Sequence, residues 1–164
     1  MNAFIVADPR RCIGCAACEV ACAAAAAGQS VFAPGGQAAV FSPRLHLVAE
    51  AAVTAPVQCR QCADAPCAAI CPRGAIRMAE GVVTVDSGLC IGCKMCMVAC
   101  PVGAIEVRGG RASKCQLCTD RPEGPACMQV CPAEAFTLVR AQTLRAELVR
   151  RRAAGLCPAA DARP

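Results

Sequence analysis

The sequence predicts an α+β fold of short β-hairpins and short helices, organised as two intertwined modules around bound inorganic groups in place of a large apolar core. Three observations carry this prediction. First, sixteen of the 17 cysteines in 164 residues fall into four groups of four. They are Cys12, Cys15, Cys18 and Cys22; Cys59, Cys62, Cys67 and Cys71; Cys90, Cys93, Cys96 and Cys100; and Cys115, Cys118, Cys127 and Cys131. Second, strand, turn and strand signals alternate between the groups. Third, Trp and Tyr are absent and only Phe4, Phe32, Phe41 and Phe136 are aromatic, so units this short lack the side chains for an independent core.

In chain order, Phe4-Ile5-Val6 before the first group and Phe136-Thr137-Leu138-Val139 after the fourth are short β-prone runs. Each reads as an edge strand of an outer module built from both ends of the chain. Residues 28–58 are an insertion with a Pro34-Gly35-Gly36 turn and a strand around Arg44–Glu50, expected to cover the bound groups and join the modules. Eighteen residues separate Cys71 from Cys90. They read as a strand at Ala75–Met78, a Glu80-Gly81 turn and a strand at Val82–Val85. A further strand at Ala104–Arg108 meets a Gly109-Gly110 hairpin signal leading back to Cys115. This organisation predicts an inner module over 59–111, an outer module over 1–27 and 112–141, the insertion over 28–58, and a tail over 142–164. In the tail, Ala141–Ala154 reads as a helix with Leu144, Leu148 and Val149 on one side, Arg145, Arg150, Arg151 and Arg152 largely elsewhere, and Gly155 as its stop.

The third group, Cys90-x2-Cys93-x2-Cys96-x3-Cys100-Pro101, has the thiolate spacing of a bacterial [4Fe–4S] ferredoxin. Four occurrences of the motif imply four clusters. Soft thiolates fill the open position on each iron, leaving none for substrate, so the implied chemistry is gain or loss of one electron. The x2 spacings wrap three sulfurs round one cluster. The fourth cysteine points away, and the proline after it stops the segment from continuing as a helix.

Other chemistries fit less well. Structural zinc uses two Cys pairs with an intervening knuckle, not four cysteines within eleven residues followed by proline. A disulfide framework belongs to secreted chains, and MNAFIVADPRRC has no basic segment followed by an apolar one. Arg10-Arg11 is followed at once by Cys12 and not by an export signal. A reducing, cytoplasmic setting is therefore expected. No apolar run approaches membrane-spanning length, so no direct membrane insertion is expected. The formal charge of +5 does not indicate nucleic acid, because sixteen bound thiolates and four oxidised cores bring the total to about −3. Interleaved aromatics for base stacking are also missing. No G-x-G-x-x-G after a strand, P-loop or acid–base constellation occurs, so the chain is expected to be no catalyst by itself. Cys157 is expected to be a free thiol, and His46 a strand residue and not a ligand. Lys94 is a candidate for raising the potential of its cluster, and Met95 and Met97 are expected to exclude water from it.

The motifs CIGCAACEVAC, CRQCADAPCAAICPRGAI, CIGCKMCMVACPVGAI and CQLCTDRPEGPACMQVCP together resemble four-cluster ferredoxin-type electron-transfer subunits. Such subunits serve formate dehydrogenases, formate–hydrogen lyase, CO dehydrogenase-linked hydrogenases, and tungsten or molybdenum oxidoreductases such as aldehyde oxidoreductase. The resemblance covers about Phe4 to Val139. It implies two intertwined bacterial-ferredoxin-like modules and four [4Fe–4S] clusters. The inner clusters would take Cys59, Cys62, Cys67 with Cys100, and Cys90, Cys93, Cys96 with Cys71. The outer clusters would take Cys12, Cys15, Cys18 with Cys131, and Cys115, Cys118, Cys127 with Cys22. The implied partners are a larger catalytic oxidoreductase subunit and a second redox subunit or further copies of the chain. Two alternatives are an Fe–S scaffold or maturation protein and a free-standing polyferredoxin. Cys22 departs from the motif in being followed by Ala23 instead of proline.

Overall fold

The computed structural model describes residues 3–29, 41–50, 53–140, 142–146 and 149–150. Twelve elements follow in order: β1 (Ala3–Ala7), α1 (Ala17–Ala26), β2 (His46–Glu50), β3 (Val53–Val57), α2 (Pro66–Ala69), β4 (Ile76–Ala79), β5 (Val82–Val85), α3 (Met95–Ala99), β6 (Ile105–Arg108), β7 (Arg111–Lys114), α4 (Ala126–Gln129) and β8 (Phe136–Arg140). The eight strands make four separate two-stranded antiparallel sheets. A lone two-stranded sheet is marginal in water, so each depends on what packs against it.

Three of these sheets follow the sequence closely. The chain ends pair as β1 with β8, Ile5 opposite Leu138. β4 and β5 turn at Glu80-Gly81, and β6 and β7 at Gly109-Gly110, where both turn residues have positive φ. That backbone matches a two-residue hairpin loop to the twist of its strands. β4 and β6 each begin one residue later than expected. The preceding alanine is engaged elsewhere: Ala104 N–H donates to Cys100 Sγ at 3.3 Å, and Ala75 C=O accepts from Asp86 N–H at 2.7 Å. The expected module boundary at 111/112 falls inside β7.

The insertion holds more structure than expected. β2 lies where a strand was predicted, and it pairs with β3, which the sequence reading did not anticipate. Polar contacts fasten this hairpin on both sides. Leu47 N–H donates to Glu19 of α1 at 2.8 Å, His46 pairs with Glu106 of β6 at 3.1 Å, and Gln58 donates to Ile5 C=O at 2.9 Å. His46 is thus a tether, in keeping with its reading as a strand residue.

Two apolar clusters share the interior, and cysteines make up much of both. One joins Ile5, Leu45, Val82, Leu117 and Phe136 to Cys18, Cys22, Cys59, Cys115 and Cys127. The other joins Ile76, Val83 and Ile105 to Cys67 and Cys96, and Cys100 packs against both. In the tail, residues 142–146 and 149–150 are helical, with Leu144 and Val149 exposed. Pro34-Gly35-Gly36, Leu148, Arg151, Arg152, Gly155 and Cys157 lie outside the described residues.

Candidate iron–sulfur sites

Each cysteine group folds by a common local device. The third residue of the first Cys-x-x-Cys in every group has a left-handed backbone: Gly14 at φ 71°, Gln61 at 50°, Gly92 at 69° and Leu117 at 58°. This reverses the chain between two cysteines so that both face one centre. Glycine adopts the conformation without strain, and at Gly92 it is also required by space. A Cβ there would stand 2.6 Å from the Gly110 carbonyl oxygen. Gln61 and Leu117 adopt the same backbone with side chains that are buried in the interior.

Ala16, Lys94 and Ala65, also left-handed, start α1, α3 and α2, which turn the buried Cys18, Cys96 and Cys67 inward. Neighbouring helical positions face away from one another. Met95 and Met97 are therefore exposed and do not shield Cys96 as the sequence suggested. Lys94 lies on the rim of its site.

The last cysteine of a group reaches across to a different group. A cavity of about 340 Å³, measured with the solvent at its mouth, is lined by Cys71 together with Cys90, Cys93 and Cys96. A second, of about 330 Å³ on the same measure, is lined by Cys131 with Cys12, Cys15 and Cys18, and is walled by Leu47, Pro56 and Phe136. The remaining eight cysteines influence one another electrostatically, both within and across the expected sets. Cys62 and Cys67 each act with Cys59 and Cys100. Cys127 acts with Cys115, Cys22 and Cys118, and Cys22 acts with Cys118.

Burial is the leading influence on these thiols. It pushes Cys18 and Cys115 up to about 11 and raises Cys127, Cys22, Cys96, Cys67 and Cys62 as well. Cys71 moves the other way. Burial, the largest single influence there too, is outweighed by the combined backbone N–H groups of Arg73, Ala75, Ile76 and Gly74, which favour its thiolate. The Cys-Pro turn supplies a donor at the same offset twice more: Ala104 N–H to Cys100 Sγ and Ala135 N–H to Cys131 Sγ, each 3.3 Å. The first group has no such proline, so α1 runs on through Cys22 to Ala26. The donor to Cys22 Sγ is instead Arg44 N–H from the insertion, at 3.2 Å.

The residues fit [4Fe–4S] clusters. Each of the two cavities is lined by four thiols, the soft donors that [4Fe–4S] clusters take. Among the described residues no three His, Cys, Asp or Glu side chains converge as a single metal ion would need. Residues 50–141 match the 4Fe-4S dicluster domain family. The chain belongs to that family. As a 4Fe-4S dicluster protein it is 42% identical to the electron transport protein HydN of Escherichia coli K12, over 93% of this chain and 98% of that one. It is 38% identical to an iron-sulfur protein of Rhodospirillum rubrum (93% and 90% covered) and 33% identical to hydrogenase-4 component A of E. coli K12 (90% and 87%). This dicluster protein is a non-catalytic electron-transfer protein. No helix among the described residues is long and apolar enough to cross a membrane.

Proposed function

We propose that the chain relays single electrons through four [4Fe–4S] clusters between a larger catalytic oxidoreductase subunit and a further redox subunit or acceptor, in the cytoplasm. The observation that supports this reading is the pair of cavities each lined by four cysteines, Cys71 with Cys90, Cys93 and Cys96 and Cys131 with Cys12, Cys15 and Cys18, each holding one exposed cysteine. Among the described cysteines only Cys15 and Cys93 are exposed. Electrostatic contacts between the proposed sites support an order. Cys18 acts on Cys127, Cys59 acts on Cys115, and Cys100 packs into both apolar clusters. The sequence of sites is then Cys12/Cys15/Cys18/Cys131, Cys22/Cys115/Cys118/Cys127, Cys59/Cys62/Cys67/Cys100 and Cys71/Cys90/Cys93/Cys96, a wire with two open ends. When bound, each cluster supplies a centre that takes up or gives back one electron.

The chain's own residues hold the sulfurs, donate N–H groups to them and keep water away. Backbone donors to thiolate sulfur and the exclusion of solvent are the means by which a protein sets the potential of such a site. The partner reading rests on the ends. Ile13 beside Cys15 is 68% exposed, and Ile91 and Val98 near Cys93 are 62% and 87% exposed, surface suited to burial against another subunit. The partner class proposed is a molybdenum or tungsten enzyme such as aldehyde oxidoreductase or formate dehydrogenase, a CO dehydrogenase, or a hydrogenase. A relative named as a hydrogenase component supports that range.

Anaerobic metal and sulfide analysis tests the cluster count. About sixteen iron and sixteen sulfide per chain are expected from four [4Fe–4S] clusters, whereas zinc, or iron nearer half that, refutes the count. Anaerobic purification tests the partner. A larger oxidoreductase subunit should co-purify, and a lone monomer beside an enzyme fully active without it would refute the relay role.

A further inference from the structure

Lys114 is 1% exposed, the sole charged side chain among the described buried residues. Its ammonium donates to Val83 C=O and to Cys115 C=O, the latter at 2.8 Å. No carboxylate pairs with it among the described residues. A buried charge without a counter-charge is strongly disfavoured, and the nearby groups able to balance it are thiols. Cys115 is the next residue, and Cys67 takes Lys114 as its leading Coulombic partner. These two cysteines belong to different sites, and both sites are interior in the order given above.

The surroundings fix the ammonium in place. Gln61 donates to the same Cys115 carbonyl at 2.8 Å and accepts from Val83 N–H at 2.8 Å. Gln61 and Lys114 therefore grip Val83 and Cys115 from two sides, while Gln61 N–H donates to Cys59 Sγ at 3.4 Å. β5, β7 and the second cysteine group meet at this point.

We propose that Lys114 is the shared counter-charge of the two interior cluster sites, favouring their reduced forms and setting their potentials above those of the two terminal sites. Each reduction adds one electron, supplied by the oxidoreductase partner or, in the test, by dithionite. The inference rests on the four-site reading, and a fixed positive charge acts on a nearby added electron more strongly in this buried setting than in water.

The test compares the intact, anaerobically purified wild type with Lys114→Met, Lys114→Gln and Lys114→Arg. Gln keeps an N–H donor and loses the charge, and Arg keeps both. Iron and sulfide are measured first, so that a wrong cluster count is seen before any potential is interpreted. EPR-monitored potentiometric titration then reads each cluster. Two of the four couples should become about tenfold harder to reduce in Lys114→Met and Lys114→Gln, which is about 59 mV for one electron. The other two should hold still, and Lys114→Arg should match wild type. Four unmoved couples in a fully loaded uncharged variant overturn the proposal, as does an equal fall in Lys114→Arg. If only the uncharged variants lose their iron, the clusters need the charge and the proposal stands. If Lys114→Arg loses it as well, shape and not charge governs the position, and the proposal falls.

Discussion

Replacing Cys131 with serine should disturb a site whose other three thiols lie more than a hundred residues away. Cys131 lines one cavity with Cys12, Cys15 and Cys18, and on the proposed pairing Cys22 joins Cys115, Cys118 and Cys127, whose charges it influences. On that pairing the two outer sites are nested cross-ties between the same chain ends. With the Cys22 tie intact, losing the Cys131 tie frees only the chain from Cys18 to Cys22 and from Cys127 to Cys131, and by the chain-entropy estimate for a cross-link a loop of about 8 residues costs about 2.5 kcal/mol. Losing Cys22 as well releases the path from Cys22 through the inner sites to Cys115, about 50 residues, for a further 4 kcal/mol or about that. The decisive assay is native-state alkylation mapped by mass spectrometry, with iron measured in parallel. In Cys131→Ser, Cys12, Cys15 and Cys18 should become reactive while Cys115, Cys118 and Cys127 stay protected. In Cys22→Ser the pattern should invert. Reactivity appearing at Cys115, Cys118 and Cys127 in Cys131→Ser would refute the nesting while leaving electron transfer untouched.

Gly92→Ala should destabilise the protein by about 1–3 kcal/mol and lower iron at the Cys90 site, since φ is +69° and the Gly110 oxygen is 2.6 Å from the new Cβ. Gly103→Ala, with nothing within 4 Å, should cost less in the same thermal melt, and equal costs would undo the argument from space. Cys157→Ser should keep the iron content of wild type, because sixteen other cysteines suffice; iron loss would show that the ligand count is wrong. In cluster-free protein, Cys18 and Cys115 keep their protons when folded up to about 11, against an ordinary 9.0. The unfolded chain gives them up sooner. The stability they contribute is present below 9.0 and is lost as pH rises towards 11, which circular dichroism across that interval would register, and a flat profile would contradict it.

Much of the molecule was legible because cysteine spacing and hairpin turns are local signals. Glu80-Gly81 and Gly109-Gly110 mark their hairpins within two residues, and Phe4–Val6 and Phe136–Val139 stand out as β-prone beside the outermost groups. β3 was not legible: its sequence VTAPV contains a proline, which argues against an interior strand, and its role as partner to β2 is settled by tertiary contacts to Glu19, Glu106 and Ile5. Lys114 was hidden for a different reason. A lysine in a short strand ordinarily reads as solvated, and its burial follows from the convergence of β5, β7 and the second cysteine group, which no window of sequence contains. Met95 and Met97 were misjudged because residues adjacent to Cys96 in a helix are rotated about 100° away from it, which leaves both exposed.

The pairing of β1 with β8 bears on how the protein is made. While the chain is being synthesised, the residues of β4 to β7 emerge in close succession and can meet at once, whereas β1 waits for a strand that ends at Arg140. Contacts of such long sequence separation form late. On the proposed pairing the inner sites can be filled on a nascent chain, but the first three cysteines remain an open claw until Cys131 and β8 leave the ribosome. Premature termination should therefore leave a half-length conductor instead of an unfolded chain, and oxygen reaching the unfinished protein will find Cys12, Cys15 and Cys18 first.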